Sequence, residues 1–317
     1  MTAAAALPAS FVRPAAARIA PVTGRTAGAA HAPAAALAVA SIGHLVPRSP
    51  WTGRVHSVFA RACNVACGEL LLTIGVRAGG DGPTTIVLGR AAGDLRDRFA
   101  VGERVDSRAG CIRSARVALD VADARVWRPA ARAARVVDAC LAARLRGVRE
   151  RLAARRTLQP SVLDREAADV VTVFARACAE LDLAQATASL DRLLGWGEGL
   201  TPAGDDCIVG VLAALDALAH DDAARRSHRD ALGAAVAARS ERTTAIAAHA
   251  LRLAAAGHFA APIDRFVAAL CTGDDDYAAA AALHDLLGLG ATSGADTASG
   301  VVAALDACSG ASATEAA

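Results

Sequence analysis

The sequence contains no lysine; all 34 of its fixed positive side chains are arginine. A phosphate loop of the Gly-x4-Gly-Lys-Ser/Thr kind needs its lysine, and Schiff-base chemistry needs a side-chain amine, so both are excluded. Any anion must be held by arginine, by backbone N–H groups or through a metal. Aromatic residues make up only 3% of the 317 positions, which leaves no platform for stacking on bases. The net charge of +2 comes without a basic stripe, so nucleic acid is not expected as a partner. The 8 cysteines include no CxxC pair, and Cys63 and Cys67 have no histidine beside them. They read as reduced, buried thiols of a cytoplasmic protein rather than as zinc ligands or disulfides. No apolar run free of Gly, Pro and charge is long enough to suggest a membrane span.

What is present is aliphatic. Hydrophobic residues are 54% of the chain, and alanine supplies much of that. Such a core packs closely and favours helices over wide sheets. Residues 1 to about 35 are rich in Ala and Pro, with no acidic residue before Glu69; they read as a disordered tail, with a superficial likeness to a transit peptide. From 36 to about 128 the texture is strand-like: short apolar runs at 38–42, 55–59, 70–76 and 84–88, and a strand pair within Arg116 to Trp127, with glycine-rich breaks between them. Past Pro129 the period turns helical, with candidate helices over 130–154, 161–180, 185–194, 202–219, 222–238, 243–256, 263–271, 278–287 and 297–308. Strands first and helices second predict an α+β fold: an antiparallel β-rich domain or partial barrel over 36–128, then a mainly helical domain over 129–317.

The helical half contains a repeat. Gly204-x-Asp206-x3-Gly210 and Gly294-x-Asp296-x3-Gly300 share one spacing, and each runs into an apolar helix ending in Ala-Ala-Leu. The glycine-rich approach to the first copy carries Gly195, Gly197 and Gly199; the approach to the second is shorter. Thr201-Pro202 reads as a Thr N-cap followed by Pro at the first helical position. A buried helix start leaves N–H groups in need of partners, and glycines let a ligand approach them, which together suggest an anion cradle. Glu198, Asp205 and Asp206 oppose that: two like charges about 4 Å apart cost about 4 kcal/mol at an effective dielectric near 20. Either the aspartates accept N–H bonds and shape the loop, or a Mg²⁺ ion bridges carboxylate and phosphate. For Asp206 and Asp296, both a ligand-facing role and a structural one stay open. Arg242, beside Thr243 and Thr244 at the start of the next helix, suggests an anion grip. His56 and Ser57 are adjacent on a strand and so expected on opposite faces, which argues against a catalytic pair. Asn64 is a candidate hydrogen-bonding residue nearby, and His249 and His258 read as structural.

Residues 195–215, 240–259 and 288–305 resemble, in order and spacing, the three signature blocks of the AllH-type family, and residues 53–67 resemble its N-terminal block. The resemblance covers the chain from about residue 36. It implies a subunit of the oxamate carbamoyltransferase of anaerobic allantoin breakdown, which converts oxalurate and phosphate to oxamate and carbamoyl phosphate together with FdrA-type and AllG-type components. The positions here that match the family's motifs are Thr201, Gly204, Asp205, Asp206, Arg242, Thr243, Thr244, Ser293 and Asp296. Ala295 departs from the pattern, which often has an aromatic residue there. The expectation is therefore a site in which Arg242, Asp206 and Asp296 act on an anionic substrate held by Gly197, Gly199, Thr201, Gly204, Asp205, Thr243, Thr244, Ser293 and Gly294, with His56 and Asn64 contributing from the strand region. Two alternatives are a non-catalytic assembly or regulatory subunit of the same complex, and a stand-alone Mg²⁺-dependent enzyme acting on a nucleotide or phosphate.

Overall fold

In the computed structural model, residues 35–76, 80–89, 93–130, 140–272 and 276–315 are described. The expected tail lies outside them, as do residues 131–139 of the first expected helix. Strands β1 (Ala35–Gly43), β2 (Trp51–Val58), β3 (Ala62–Cys67), β4 (Leu70–Val76), β5 (Thr85–Leu88), β6 (Arg104–Arg108), β7 (Cys111–Arg113), β8 (Val117–Asp120) and β9 (Arg125–Trp127) come first. Their sheet runs β5-β4-β3-β2-β6-β7-β8-β1, and β1 also pairs with β5, so eight strands close into a barrel, with β9 added alongside β1. Closure removes the exposed edges that an open sheet would leave. Alternation along the strands fills the interior with aliphatic side chains, among them Val65, Leu72, Ile74, Ile86, Leu88, Val105 and Leu119.

The sheet is mixed, not antiparallel as the sequence suggested. β1 lies parallel to both β8 and β9, and β4 parallel to β5. The segment 117–127 is therefore not a hairpin: its two strands share β1 as their partner instead of each other. β6 and β7 escape the sequence pattern because Arg104-Val105-Asp106-Ser107-Arg108 and Cys111-Ile112-Arg113 each bury a single side chain; β3 was not expected either, and buries three residues in a row, Cys63, Asn64 and Val65.

The helices are α1 (Leu141–Leu158), α2 (Val162–Glu166), α3 (Ala168–Ala179), α4 (Leu183–Leu193), α5 (Ala203–Leu218), α6 (Ala223–Arg239), α7 (Ala245–Ala255), α8 (Ala261–Thr272), α9 (Asp276–Leu287) and α10 (Ser293–Glu315). The expected helix over 161–180 is two, broken at Ala167, whose φ of −133° leaves the helical region. α10 is longer than its apolar pattern suggested, because small residues carry it on to Glu315.

The duplication extends well beyond the glycine motif. α3 packs on α4 and on α10; α8 packs on α9 and on α5. α1 packs on α9 and α10, while α6 packs on α4 and α5. Helices α1–α5 and α6–α10 are thus two copies of one five-helix unit, and the first helix of each rests on the last two of the other. The central contact is reciprocal. A Cβ on Gly210 would lie 2.0 Å from the carbonyl oxygen of Thr297, and one on Gly300 would lie 2.1 Å from that of Cys207, the equivalent residue. Glycine at both positions lets the backbones of α5 and α10 touch. An arginine–aspartate pair repeats in the same way: Arg229 on α6 meets Asp216 on α5, and Arg149 on α1 meets Asp306 on α10.

Barrel and helices belong to one compact unit. The N–H of Ala261 donates to the Asp81 carbonyl over 2.9 Å, and Thr84 Oγ1 lies 3.2 Å from His249 Nε2. Asp81 also accepts from Ser41 and Arg125 through its side chain. His249 is a buried junction residue, and burial depresses its pKa to about 4.

Candidate functional site

The two repeated motifs place the starts of α5 and α10 side by side. Thr201 Oγ1 and Ser293 Oγ lie 2.8 Å apart across the join. Thr201 is therefore not the N-cap expected from the sequence. Pro202 holds that position with no side-chain bond, and the Thr201 hydroxyl is taken by Ser293. The helix start is closed instead by backbone: Gly204 N–H donates to the Trp196 carbonyl over 2.8 Å. The second copy does the same, with Gly294 N–H donating to Leu289 over 3.0 Å. Both glycines are packing positions, since a Cβ on either would lie 2.0 Å from a carbonyl oxygen, of Leu193 or of Leu286. The first loop is three residues longer between these paired positions. Gly195 and Gly197 take up that length with φ of +72° and +109°, a region that disfavours any side chain.

Asp205 shapes this loop. It is 1% exposed, accepts the Gly195 N–H over 2.8 Å, and accepts the Thr243 hydroxyl through its other oxygen. Burial pushes its carboxyl up to about 6, against the opposing pull of those two bonds. Thr244 caps α7 by accepting the Ala247 N–H over 3.1 Å, and donates its hydroxyl to the Leu200 carbonyl. Thr201, Gly204, Asp205, Asp206, Thr243, Thr244, Ser293, Gly294 and Asp296 thus cluster at one place. Gly197 folds against Ala203, and Gly199 faces open space.

Asp206 and Asp296 are equivalent by repeat, and their N–H groups bond equivalent carbonyls, of Pro202 at 3.1 Å and Thr292 at 2.9 Å. The Asp296 side chain is 0% exposed, and neither of its oxygens has a well-formed hydrogen bond; Asp206 Oδ2 is buried in the same state. Burial raises Asp206 well above the usual carboxylate range, with the Ser293 and Thr201 hydroxyls opposing the rise and the charges of Asp296 and Asp205 adding to it. Burial raises Asp296 as well, opposed by the hydroxyls of Ser161 and Thr292 and by Arg156. Buried carboxyl oxygens without hydrogen bonds are costly, and they concentrate where ligands or protons are handled.

Arg156, Ser161 and Ser299 complete the cluster and were not singled out from the sequence. Arg156 Nη2 donates to Ser299 Oγ over 2.6 Å and sits 3.7 Å from Asp296 Oδ1, while its other nitrogen pairs with Asp164. It lies in a run of six arginines between residues 144 and 156, where nothing in composition marks it out. Ser161 caps α2 by accepting the Leu163 N–H, as Thr244 caps α7.

Arg242 lies beside the glycine loop, where a Cβ on Gly195 would meet its carbonyl oxygen at 3.3 Å, but its guanidinium turns to an acidic partner. It belongs to a 3-10 turn, Ser240–Arg242, ahead of α7. Its guanidinium, 39% exposed, pairs with the Asp191 carboxylate and donates to the Asp191 carbonyl over 3.2 Å. An acidic partner on α4 occupies the cation meant for an anion. His56 and Asn64 lie on the barrel, on β2 and β3, and among the described residues no hydrogen bond or ion pair joins them to the glycine loops. They do form a network of their own. A β-bulge falls between Val55 and Ser57, so His56 and Ser57 do not alternate as a regular strand requires. His56 Nδ1 lies 3.2 Å from Ser57 Oγ, Asn64 Nδ2 donates to Ser57 Oγ over 3.0 Å, and Thr73 Oγ1 donates to Asn64 Oδ1 over 2.9 Å. The expectation that His56 and Ser57 cannot meet was wrong because the bulge inserts a residue that the sequence does not announce.

No disulfide joins the described cysteines; Cys140 is exposed and Cys67 and Cys111 are half-buried, so the expectation of uniform burial is corrected. Among the described residues no group of three or more His, Cys, Asp and Glu could hold a metal ion. No described helix is long and apolar enough to cross a membrane.

A closed barrel joined to a duplicated helical unit, with the carboxyl groups of Asp205, Asp206 and Asp296 at the paired helix starts, defines an α+β protein. The chain belongs to the AllH family: residues 34–126 match the AllH family N-terminal domain, and residues 193–305 match oxamate carbamoyltransferase subunit AllH. The second match runs from the end of α4 to α10 and so takes in both glycine motifs. No solved structure matches the chain.

Proposed function

We propose that the chain is the substrate-binding subunit of a multi-component carbamoyltransferase that converts oxalurate and phosphate to oxamate and carbamoyl phosphate. The observation that carries this reading is the pairing of the two loops through Thr201 and Ser293, with the buried Asp296 and the half-buried Asp206, whose Oδ2 is enclosed, beside them. Their chemistry suits a small anion in one of two ways. Held neutral by burial, a carboxyl group donates its O–H to a substrate oxygen. Held charged, the pair takes up a cation that in turn binds the anion. Mg²⁺ fits this donor set, because it favours one or two carboxylates and completes its octahedron with water and substrate oxygens. Asp206 and Asp296 would hold it, with the Thr201 and Ser293 hydroxyls alongside, and it would neutralise charge on the substrate. Arg156, rather than Arg242, is the cation closest to this pair. The partners would be FdrA-like and AllG-like subunits, in the cytoplasm.

Reconstitution tests the proposal. The three subunits together should form carbamoyl phosphate from oxalurate and phosphate, and omission of this chain should abolish it. Calorimetry on the isolated chain should detect oxalurate or carbamoyl phosphate, with and without Mg²⁺, and Asp206→Asn should remove that heat. A complete complex that turns over at the full rate with Asp206→Asn and Asp296→Asn together would defeat the site.

One observation favours a second reading, an assembly subunit without chemistry of its own. Gly204, Gly210, Gly294 and Gly300 are all positions of close backbone approach, and the N–H groups of Gly204 and Gly294 are already bonded. On that reading loop substitutions change complex formation and leave kcat of the assembled complex intact.

A further inference from the structure

The barrel carries a second constellation with chemical character, on β2, β3 and β4. Ser57 Oγ accepts an N–H from Asn64 over 3.0 Å, and Asn64 is held in turn by the Thr73 hydroxyl over 2.9 Å. These three sit side by side on adjacent strands, Ser57 opposite Asn64 and Asn64 opposite Thr73. Asn64 is buried, whereas His56 and Ser57 are only partly covered. Since Asn64 donates to Ser57, the serine hydroxyl is left to donate elsewhere. The acceptor within reach is His56 Nδ1, at 3.2 Å. That pairing requires the imidazole proton on Nε2, and it sets a nucleophile and a base within hydrogen-bond reach, with the nucleophile held by a third group. The bulge at this point of β2 is what turns the two neighbours toward each other, and bulges of this sort re-aim side chains beside reactive sites.

We infer that Ser57 is a nucleophile, activated by His56 and positioned by Asn64 and Thr73, that accepts an acyl or carbamoyl group from an activated carbonyl donor. The Oγ–C bond forms as the Ser57 proton passes to His56 Nδ1. The bond from carbon to the leaving oxygen or nitrogen then breaks, and the leaving group departs with the proton from His56. Water, deprotonated by the same imidazole, hydrolyses the acyl-serine and restores the hydroxyl. Asn64 Nδ2 has one further N–H, with no second acceptor among the described residues, available to the oxyanion. The inference does not rest on the carbamoyl phosphate reading, because it concerns other residues and needs no partner subunit.

The full-length chain, alone, is incubated with 4-nitrophenyl N-methylcarbamate and, separately, with a fluorophosphonate. The expected result is a burst of nitrophenolate and a single adduct, mapped by mass spectrometry to the peptide containing Ser57. Ser57→Ala should give neither. His56→Gln should slow the burst by about 100-fold, and Asn64→Ala should slow it as well. A folded wild-type chain that forms no adduct, forms it only on another residue, or is matched in rate by His56→Gln overturns the inference. The wild-type measurement decides even if a variant fails to fold. Failure here leaves calorimetry at the glycine loops untouched, and failure there leaves this adduct untouched.

Discussion

Thr201 Oγ1 and Ser293 Oγ meet at 2.8 Å although 92 positions separate them in the chain. Each hydroxyl stands at the start of one of the two helices that form the centre of the helical region. A double-mutant cycle with Thr201→Val and Ser293→Ala should therefore return a coupling of about 1 kcal/mol in denaturant unfolding. Additive effects would mean that the two hydroxyls are neighbours without being partners.

The α5–α10 contact predicts opposite outcomes for chemically identical changes. Gly210→Ala and Gly300→Ala drive a methyl group into a carbonyl oxygen of the facing helix and should each cost about 1–3 kcal/mol or more. Gly147→Ala, inside α1, meets only the end of the Arg151 side chain at 3.3 Å and should stabilise by up to about 1 kcal/mol. Thermal melts of the three variants check the contrast.

Asp205 predicts a pH dependence. Its folded-state carboxyl titrates near 6 instead of at 3.8, so the native state holds this proton more tightly than the unfolded chain does. Its contribution is fully present below the unfolded value and is lost as pH rises through the folded one. Stability should fall between about pH 4 and pH 6 by about 3 kcal/mol on this account. Asp206 and Asp296 shift in the same direction and add to the loss as pH rises. Asp206→Asn should raise Tm at pH 7.5 while it removes ligand binding. A variant that melts lower than wild type at that pH would contradict the sign.

The two arginines can be separated. Arg242→Ala breaks a half-exposed pair with Asp191 and should cost no more than about 1 kcal/mol, with turnover of the reconstituted complex retained. Arg156→Ala strips the cation from beside Asp296 and leaves that carboxyl group with less to offset its burial. It should lower both stability at neutral pH and turnover. The reverse ranking in a steady-state assay would restore Arg242 to the chemistry.

Much of this was readable in the sequence where one local rule governs. The helices fall close to their apolar periods, and the matched Gly-x-Asp-x3-Gly spacing locates the two helix starts that come together. Three things were not readable. The parallel partners of β1 depend on barrel closure, which no local pattern encodes. The role of Thr201 followed a sound capping rule that a tertiary contact overrode, since Ser293 takes the hydroxyl a cap would have used. Arg156 is one of several arginines on α1, and only the arrival of α10 distinguishes it. The bulge that brings His56 to Ser57 leaves no mark in residue type either.

The exchanged packing of the first helices has a consequence for how the chain is made. α1 is completed by α9 and α10, and α6 by α4 and α5, so neither five-helix unit closes upon itself. A ribosome that has released everything up to α5 has delivered half a core with nothing to lie against. The first helix of the bundle must wait, exposed, until α9 and α10 have emerged, and a stop codon shortly before α10 would ruin the beginning of the bundle together with its end.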